Sequence, residues 1–164
     1  MNILIASITI VLIVITQGAD MKLSTRTRYG VRLMVALASN YGKSPLLLKD
    51  IAKGENVSEK YLSLIIIPLR GIGLINSIRG AHGGYHLTKE PSQITLKEIV
   101  DVLEGDCSLV HCVSNPSSCS RVRICASHDI WSIIGAKISE TLNSITLDML
   151  VKMSREKAEK CNNA

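Results

Sequence analysis

Aromatic side chains are scarce in this chain of 164 residues: they make up 3% of it, and Phe is absent. A buried core must therefore be built from Ile, Leu, Val and Met. Hydrophobic residues reach 46% and charged residues 20%, a balance that excludes a disordered polar chain. The length fits one domain, or a small domain with an extension.

Catalytic signatures are missing as well. The sequence has no Cys-x-x-Cys pair, no nucleophile elbow of the Gly-x-Ser-x-Gly type and no His-Glu-x-x-His motif. Thiol oxidoreductases and metallohydrolases are therefore disfavoured, and we predict that the protein is not an enzyme.

A long apolar run is also lacking. Residues 3–15 are nearly all apolar, but a membrane span needs about 20 such residues. Only Met1 and Asn2 precede the run, which leaves no positive segment for a signal peptide. We predict that residues 1–20 are an apolar leader or a start-site artefact outside the fold, with no membrane partner. Met21 then begins the folded chain.

Positive charge is concentrated in the front half. Residues 21–100 contain 12 Lys and Arg against 5 Asp and Glu, whereas residues 101–164 contain 7 against 8. This asymmetry indicates a polyanionic partner for the front half alone. A solvated basic surface is the alternative.

The front half has the pattern of a winged helix-turn-helix. Helices are predicted over residues 24–40, 48–53 and 58–70, with Pro68 expected to kink or shorten the third. The apolar residues of that third helix are assigned to the core: Leu64, Ile65, Ile67 and Leu69. Two short strands around a Gly-rich turn, residues 74–78 and 85–87, predict a β-hairpin, the wing.

The back half begins with a capping box at residues 95–98, which opens a fourth helix over residues 96–103. A long helix follows, with an apolar stripe at helical spacing formed by Trp131, Ile134, Ile138, Leu142 and Ile145. The stripe packs either on the domain's own core or on a symmetric partner helix. We favour the partner because DNA readers of this size usually dimerise.

Three cysteines and a histidine cluster between these helices. Cys112, Cys119, Cys125 and His128 are spaced Cys-x6-Cys-x5-Cys-x2-His, which is enough to hold a metal centre. Zinc sites more often contain short Cys-x2–4-Cys hooks, which are absent among Cys112, Cys119 and Cys125, so iron–sulfur is favoured over zinc or no metal. Cys107 is interpreted as a spare thiol or redox partner, and Cys161 in the tail as incidental.

The chain from Met21 to about Met153 resembles the IscR/NsrR/CymR-type family of bacterial winged-helix transcriptional regulators. The resemblance rests on collinear segments: Arg28-Tyr29-Gly30-Val31, Val57-Ser58-Glu59-Lys60-Tyr61-Leu62, Ser77-Ile78-Arg79-Gly80-Ala81, Gly83-Gly84-Tyr85, Ile94-Thr95-Leu96 and the cysteine run ending in Trp131. It implies a mainly α fold with a small β-hairpin. The domains would be a winged helix-turn-helix over 21–104, a cluster-binding loop over 105–128, a dimerisation helix with a short last helix over 129–153, and a frayed polar tail over 154–164.

The resemblance also implies a function. It implies a cytoplasmic homodimer, mostly a repressor, that binds a partly palindromic double-stranded DNA operator and senses iron, redox or nitric oxide status. Cys112, Cys119, Cys125 and His128 would ligate an iron–sulfur cluster, with 2Fe-2S favoured and 4Fe-4S as the other type. Ala81-His82 in the wing is closer to the cysteine-metabolism branch, whose members can lack the cluster cysteines. A cluster-free regulator is therefore the alternative, as is a zinc-binding one.

The predicted DNA contacts fall in three places. Ser58, Lys60 and Tyr61 begin the recognition helix, the end that enters the major groove. Arg79, Ala81 and His82 would carry the wing over a minor groove, and Ser24, Thr25 and Arg28 would touch phosphate. Ser63 occupies the position at which IscR has a Glu that tunes operator choice. The operator preference of IscR is therefore not expected for this chain.

Overall fold

A computed structural model describes residues 23–80, 83–105 and 108–162 of the chain. The helices and strands, in chain order, are α1 (Thr25–Ser39), α2 (Leu48–Glu55), α3 (Glu59–Gly71), β1 (Ile75–Ile78), β2 (Gly84–Leu87), α4 (Leu96–Glu104), α5 (His111–Ser114), α6 (Ala126–Ser144) and α7 (Leu147–Asn162). The predicted mainly α fold with one hairpin is confirmed. The predictions for residues 1–20, Ala81, His82 and Cys107 lie outside the described residues.

Local sequence signals fix the helix-turn-helix. Asn56 ends α2 in the left-handed conformation, at φ 53°, which Asn tolerates better than most residues. The Ser58 hydroxyl then caps α3 by accepting a hydrogen bond from the Tyr61 backbone N–H at 3.1 Å. Pro68 does not shorten α3, because the helix continues to Gly71.

The core is aliphatic, as the absence of Phe requires. It is formed by residues of α1 to α4, both strands and the start of α7, among them Leu33, Met34, Leu62, Ile65, Ile66, Leu69, Ile94, Ile99 and Leu147. The assignment of Leu64 and Ile67 to this core was wrong. These two side chains are 56% and 64% exposed, because they lie on the face of α3 opposite Ile65 and Leu69.

The wing is a two-stranded antiparallel hairpin in which Ile75 pairs with Leu87 and Ile78 with Gly84. Leu46, in the loop before α2, adds a third pairing: its backbone exchanges hydrogen bonds of 3.0 and 2.8 Å with Tyr85. This bridge attaches the wing to the helical core.

Gly84 is a position where the wing should tolerate substitution poorly. It has φ 153°, and a Cβ placed there would lie 2.5 Å from the Leu46 carbonyl oxygen, a backbone atom with little freedom to move. We expect Gly84→Ala to lower the free energy of unfolding by about 1–3 kcal/mol, measured by urea denaturation. Gly54→Ala, in α2 with open space around it, is the control and should be neutral or slightly stabilising. Equal stability of the two variants would contradict the close approach.

The segment from α4 through α6 begins and ends at the same place, because backbone hydrogen bonds join its two ends. The Leu96 N–H donates to the Ile145 carbonyl at 2.7 Å, and the Leu147 N–H donates to the Ile94 carbonyl at 3.0 Å. Helix α7 then packs against α1 and buries Leu147 and Val151. It extends to Asn162, beyond the predicted end at Met153, so described residues 154–162 are helical and not frayed. The capping box predicted at the start of α4 is present. In the described part of the chain, no helix is long and apolar enough to cross a membrane.

Candidate nucleic-acid interface and metal centre

The start of α3 carries the first group of predicted DNA contacts. Lys60 is exposed in the first turn. The Ser58 hydroxyl is occupied as the helix cap, and the Tyr61 ring packs edge-on against Tyr29, with centroids 6.0 Å apart. Among these three residues, Lys60 is thus the one whose side chain extends into solvent without a structural role.

The start of α1 carries the second group. The Ser24 hydroxyl caps α1 through the Thr27 N–H, and the Ser24 N–H donates to the Glu104 carboxylate at 2.6 Å. Burial opposes ionisation of Glu104, but hydrogen bonds from Ser24 and the charge of Arg26 outweigh it and lower the pKa of that carboxyl. The Ser24 N–H is therefore already engaged by an anion of the chain itself. Thr25 and Arg28 are the exposed candidates for phosphate at this helix end.

The wing carries the third group. Arg79 is exposed just after β1, and the turn beyond it is closed by a hydrogen bond of 2.9 Å from the Gly83 N–H to the Gly80 carbonyl. The predicted contacts Ala81 and His82 lie between these glycines, outside the described residues. Arg79 thus places a cation at the base of the wing turn.

Each of the four predicted metal ligands lies between α4 and the first turn of α6. Cys112 is in the short helix α5, Cys119 follows a 3-10 turn, and Cys125 is the N-cap residue of α6. His128 is in the first turn of α6, where its N–H donates to the Cys125 carbonyl at 3.0 Å. The helix has therefore begun at the point needed to place Cys125 and His128 one turn apart.

The donor set fits a metal or cluster chemically. Cys112, Cys119 and Cys125 are free thiols of intermediate exposure, and none of the described residues from 108 to 125 is buried. However, within residues 23–80, 83–105 and 108–162, no three His, Cys, Asp or Glu side chains lie close enough to hold a metal ion. The described loop brings the four predicted ligands into one segment and does not assemble them into a site.

Helix α6 presents an apolar surface that the chain leaves open. It spans 19 residues, and none of them is buried. Ile130, Trp131, Ile133 and Ile134 are all classed as exposed, with Ile133 at 59%. An apolar groove along the same helix is lined by Ile133, Ile134, Ile138 and Leu142. The structure therefore does not show the predicted stripe of α6 packed on the chain's own core.

The fold and the basic recognition helix define a winged-helix DNA-binding protein. The profile of the Rrf2 family, described as an iron-dependent transcriptional regulator, matches residues 23–153. The chain belongs to this family of DNA-binding transcriptional regulators, as the resemblance predicted.

Named relatives point to two branches of the family. The chain is 42% identical over 130 residues to the transcriptional regulator CymR of Bacillus subtilis, covering 79% of this chain and 89% of that protein. It is 34% identical over 132 residues to the regulator IscR of Vibrio atlanticus, covering 80% and 76%. The solved structure of CymR, described as the global cysteine regulator of B. subtilis, superposes with a TM-score of 0.69 at 41% identity, covering 80% of this chain and 97% of that one. T. potens IscR superposes with a TM-score of 0.68 at 36% identity, covering 85% and 93%. These named relatives are regulators, not enzymes.

Sequence reasoning missed two features near the predicted DNA contacts. The pairing of Glu104 with Ser24 joins residues 80 positions apart and has no local signal. The exposure of Leu64 and Ile67, in contrast, does have a local signal in the sequence. At about 100° per residue they share a helix face with Lys60, opposite Leu62 and Leu69.

Proposed function

We propose that this chain is a homodimeric transcriptional repressor that acts on chromosomal DNA in the cytoplasm and is controlled by an iron–sulfur cluster. The observation that carries the proposal is the arrangement of three surfaces in one chain. A basic helix-turn-helix with a wing is joined through a segment of three free thiols to a helix with an open apolar face. Each surface fits one partner: operator, cluster and second copy.

The apolar face of α6 supports the homodimer. An exposed stripe of large aliphatic residues with Trp131 is unfavourable in water, and a two-fold interface would cover it on both copies at once. Because α6 is tied back to the DNA-binding domain at Ile145, the dimer would fix the separation of the two recognition helices. Half-sites on B-DNA are about 34 Å apart, so a partly palindromic operator follows.

The cysteine segment supports control by a cluster. Cys112, Cys119, Cys125 and His128 would hold it, and bound there it would supply a centre sensitive to iron, redox state or nitric oxide. Arg121 and Arg123, both exposed, would place positive charge beside the thiolates. Since the segment connects α4 to α6, assembling these four ligands would reorder the joint between the DNA-binding domain and the dimer helix.

Anaerobic purification followed by a visible absorption spectrum and iron and sulfide analysis tests the cofactor. We expect a brown protein with thiolate-to-iron bands, containing about two iron atoms per chain for a 2Fe-2S centre or about four for a 4Fe-4S centre. Selection of bound sequences from a random duplex library by the same preparation tests operator recognition.

The cluster-free alternative has its own support, since CymR, described as the global cysteine regulator of B. subtilis, is among the relatives. A colourless, iron-free protein that still selects an operator would favour that alternative and overturn the cluster. Stoichiometric zinc in the same analysis would favour a zinc-binding regulator.

A further inference from the structure

The exposed face of α3 is apolar where a DNA-reading surface would be expected to be polar. Leu64 and Ile67 are 56% and 64% exposed, whereas Ile65, Ile66 and Leu69 on the other side of the helix are fully buried or nearly so. At about 100° per residue, Lys60, Ser63, Leu64 and Ile67 fall within about 60° of one line along the helix. These four residues form the outward strip of α3.

Polar groups near this strip are largely occupied within the chain. The Ser63 hydroxyl donates to the Lys60 carbonyl at 2.7 Å, and the Ser58 hydroxyl caps the helix. Tyr61 is half-buried against Tyr29. Apart from Lys60, and from Glu59 beside the strip in the first turn, the side chains that α3 offers outward in its first three turns are therefore mainly aliphatic.

The occupant that fits this strip is the major groove of DNA. Recognition helices read bases from positions i, i+3, i+4 and i+7, which is the spacing of Lys60, Ser63, Leu64 and Ile67. Lys60 at the start of α3 and exposed Arg70 at its end supply cations for the phosphates on either side. Leu64 and Ile67 are separated by about 4.5 Å along the helix axis, close to the roughly 3.4 Å rise between base pairs.

We propose that Leu64 and Ile67 select thymine in the operator by contact with its 5-methyl group. Thymine is the base that presents an apolar group in the major groove, so an aliphatic side chain there discriminates through that methyl. The inference rests on the proposed function, since it needs the recognition helix to enter a groove. Beyond the proposed function, it identifies thymine as the preferred base and Leu64 and Ile67 as the side chains that select it.

The test uses the full-length protein and the duplex obtained by selection from the random library. Each thymine in that duplex is replaced in turn by deoxyuridine, which removes the methyl group and keeps the base pair. For wild-type protein we expect affinity, measured by fluorescence anisotropy, to fall about fourfold at one or two thymines per half-site, the effect of losing one buried methyl group. In Leu64→Ala or Ile67→Ala the corresponding loss should disappear.

Ile72→Ala is the matched control, because Ile72 is 51% exposed at the end of the same helix and lies off the outward strip. It should keep the full sensitivity to deoxyuridine. All three side chains are exposed, so circular dichroism should show an intact fold. If deoxyuridine has no effect on wild type, or if Leu64→Ala and Ile67→Ala both keep the wild-type effect at every thymine, the thymine contact is wrong while the proposed function stands. If no sequence is enriched at all, operator recognition itself fails and the inference with it.

Discussion

Ile134→Asp should convert the proposed dimer into a monomer and reduce its operator affinity at least about a hundredfold. Ile134 lies in the middle of the apolar face of α6, between exposed Ile130 and half-buried Ile138. In a two-fold interface each substitution appears twice, so two unpaired carboxylates would be buried near the symmetry axis. An unpaired buried charge costs about 3 kcal/mol or more, which corresponds to a factor of about a hundred in affinity.

Sedimentation velocity and anisotropy on the selected operator measure the two effects. Asn143→Asp places the same side chain on the same helix, but Asn143 is exposed and about 180° around the helix from Ile134. It should remain dimeric with native affinity. A dimeric Ile134→Asp with unchanged operator affinity would mean that α6 does not form the interface.

The helix-turn-helix could be predicted from sequence because its signals are local. Ser58 caps α3, and the Thr95–Glu98 capping box opens α4, at the positions that the residue types indicated. The wing was visible for the same reason, since glycines separate its two short strands. Each of these elements is specified by residues within a few positions of one another.

Two predictions were wrong, one because the outcome depends on distant residues and the other because hydrophobicity was considered without the angle around the helix. The polarity of residues 154–164 predicts a frayed tail, yet α7 continues to Asn162 from a start that Leu147 and Val151 hold against the core. Hydrophobicity alone predicts that Leu64 and Ile67 lie in the core, whereas their angular position on α3, which the sequence also gives, predicts that they are exposed. Hydrophobicity without angle cannot separate a buried side chain from an exposed one on the same helix.

The candidate metal site shows the limit of motif reasoning most clearly. The spacing from Cys112 to His128 placed four donors in one segment, and the structure keeps them there. How close the donors come depends on a loop of short turns with no buried residue among those described. Such a loop has little packing to set its conformation, so a bound metal or cluster would be the main determinant.

Cys112→Ala is therefore expected to have the second large effect. Removing one of four ligands should leave the purified protein with less than about a tenth of the wild-type iron, since losing even outer-shell support weakens metal sites about 10–100-fold. Cys112 is a partly exposed thiol in the four-residue helix α5, outside the hydrophobic core. Cys112→Ala should thus melt at the same temperature as cluster-free wild-type protein. Equal melting temperatures would show that the variant has lost the cluster and not the fold.

The consequence for DNA binding decides whether the cluster is a switch. If assembly of the ligands reorders the joint between α4 and α6, the cluster-bound wild type and Cys112→Ala should differ at least about tenfold in operator affinity or in the sequence that each selects. Cys161→Ala is the control, because Cys161 is an exposed thiol on α7, far along the chain from the predicted ligands. It should match wild type in iron content and affinity. If cluster-bound wild type and Cys112→Ala bind with equal affinity and equal sequence preference, the cluster does not control DNA binding, even where its absorption spectrum is observed. In that case the open face of α6 alone would fix the distance between the two recognition helices.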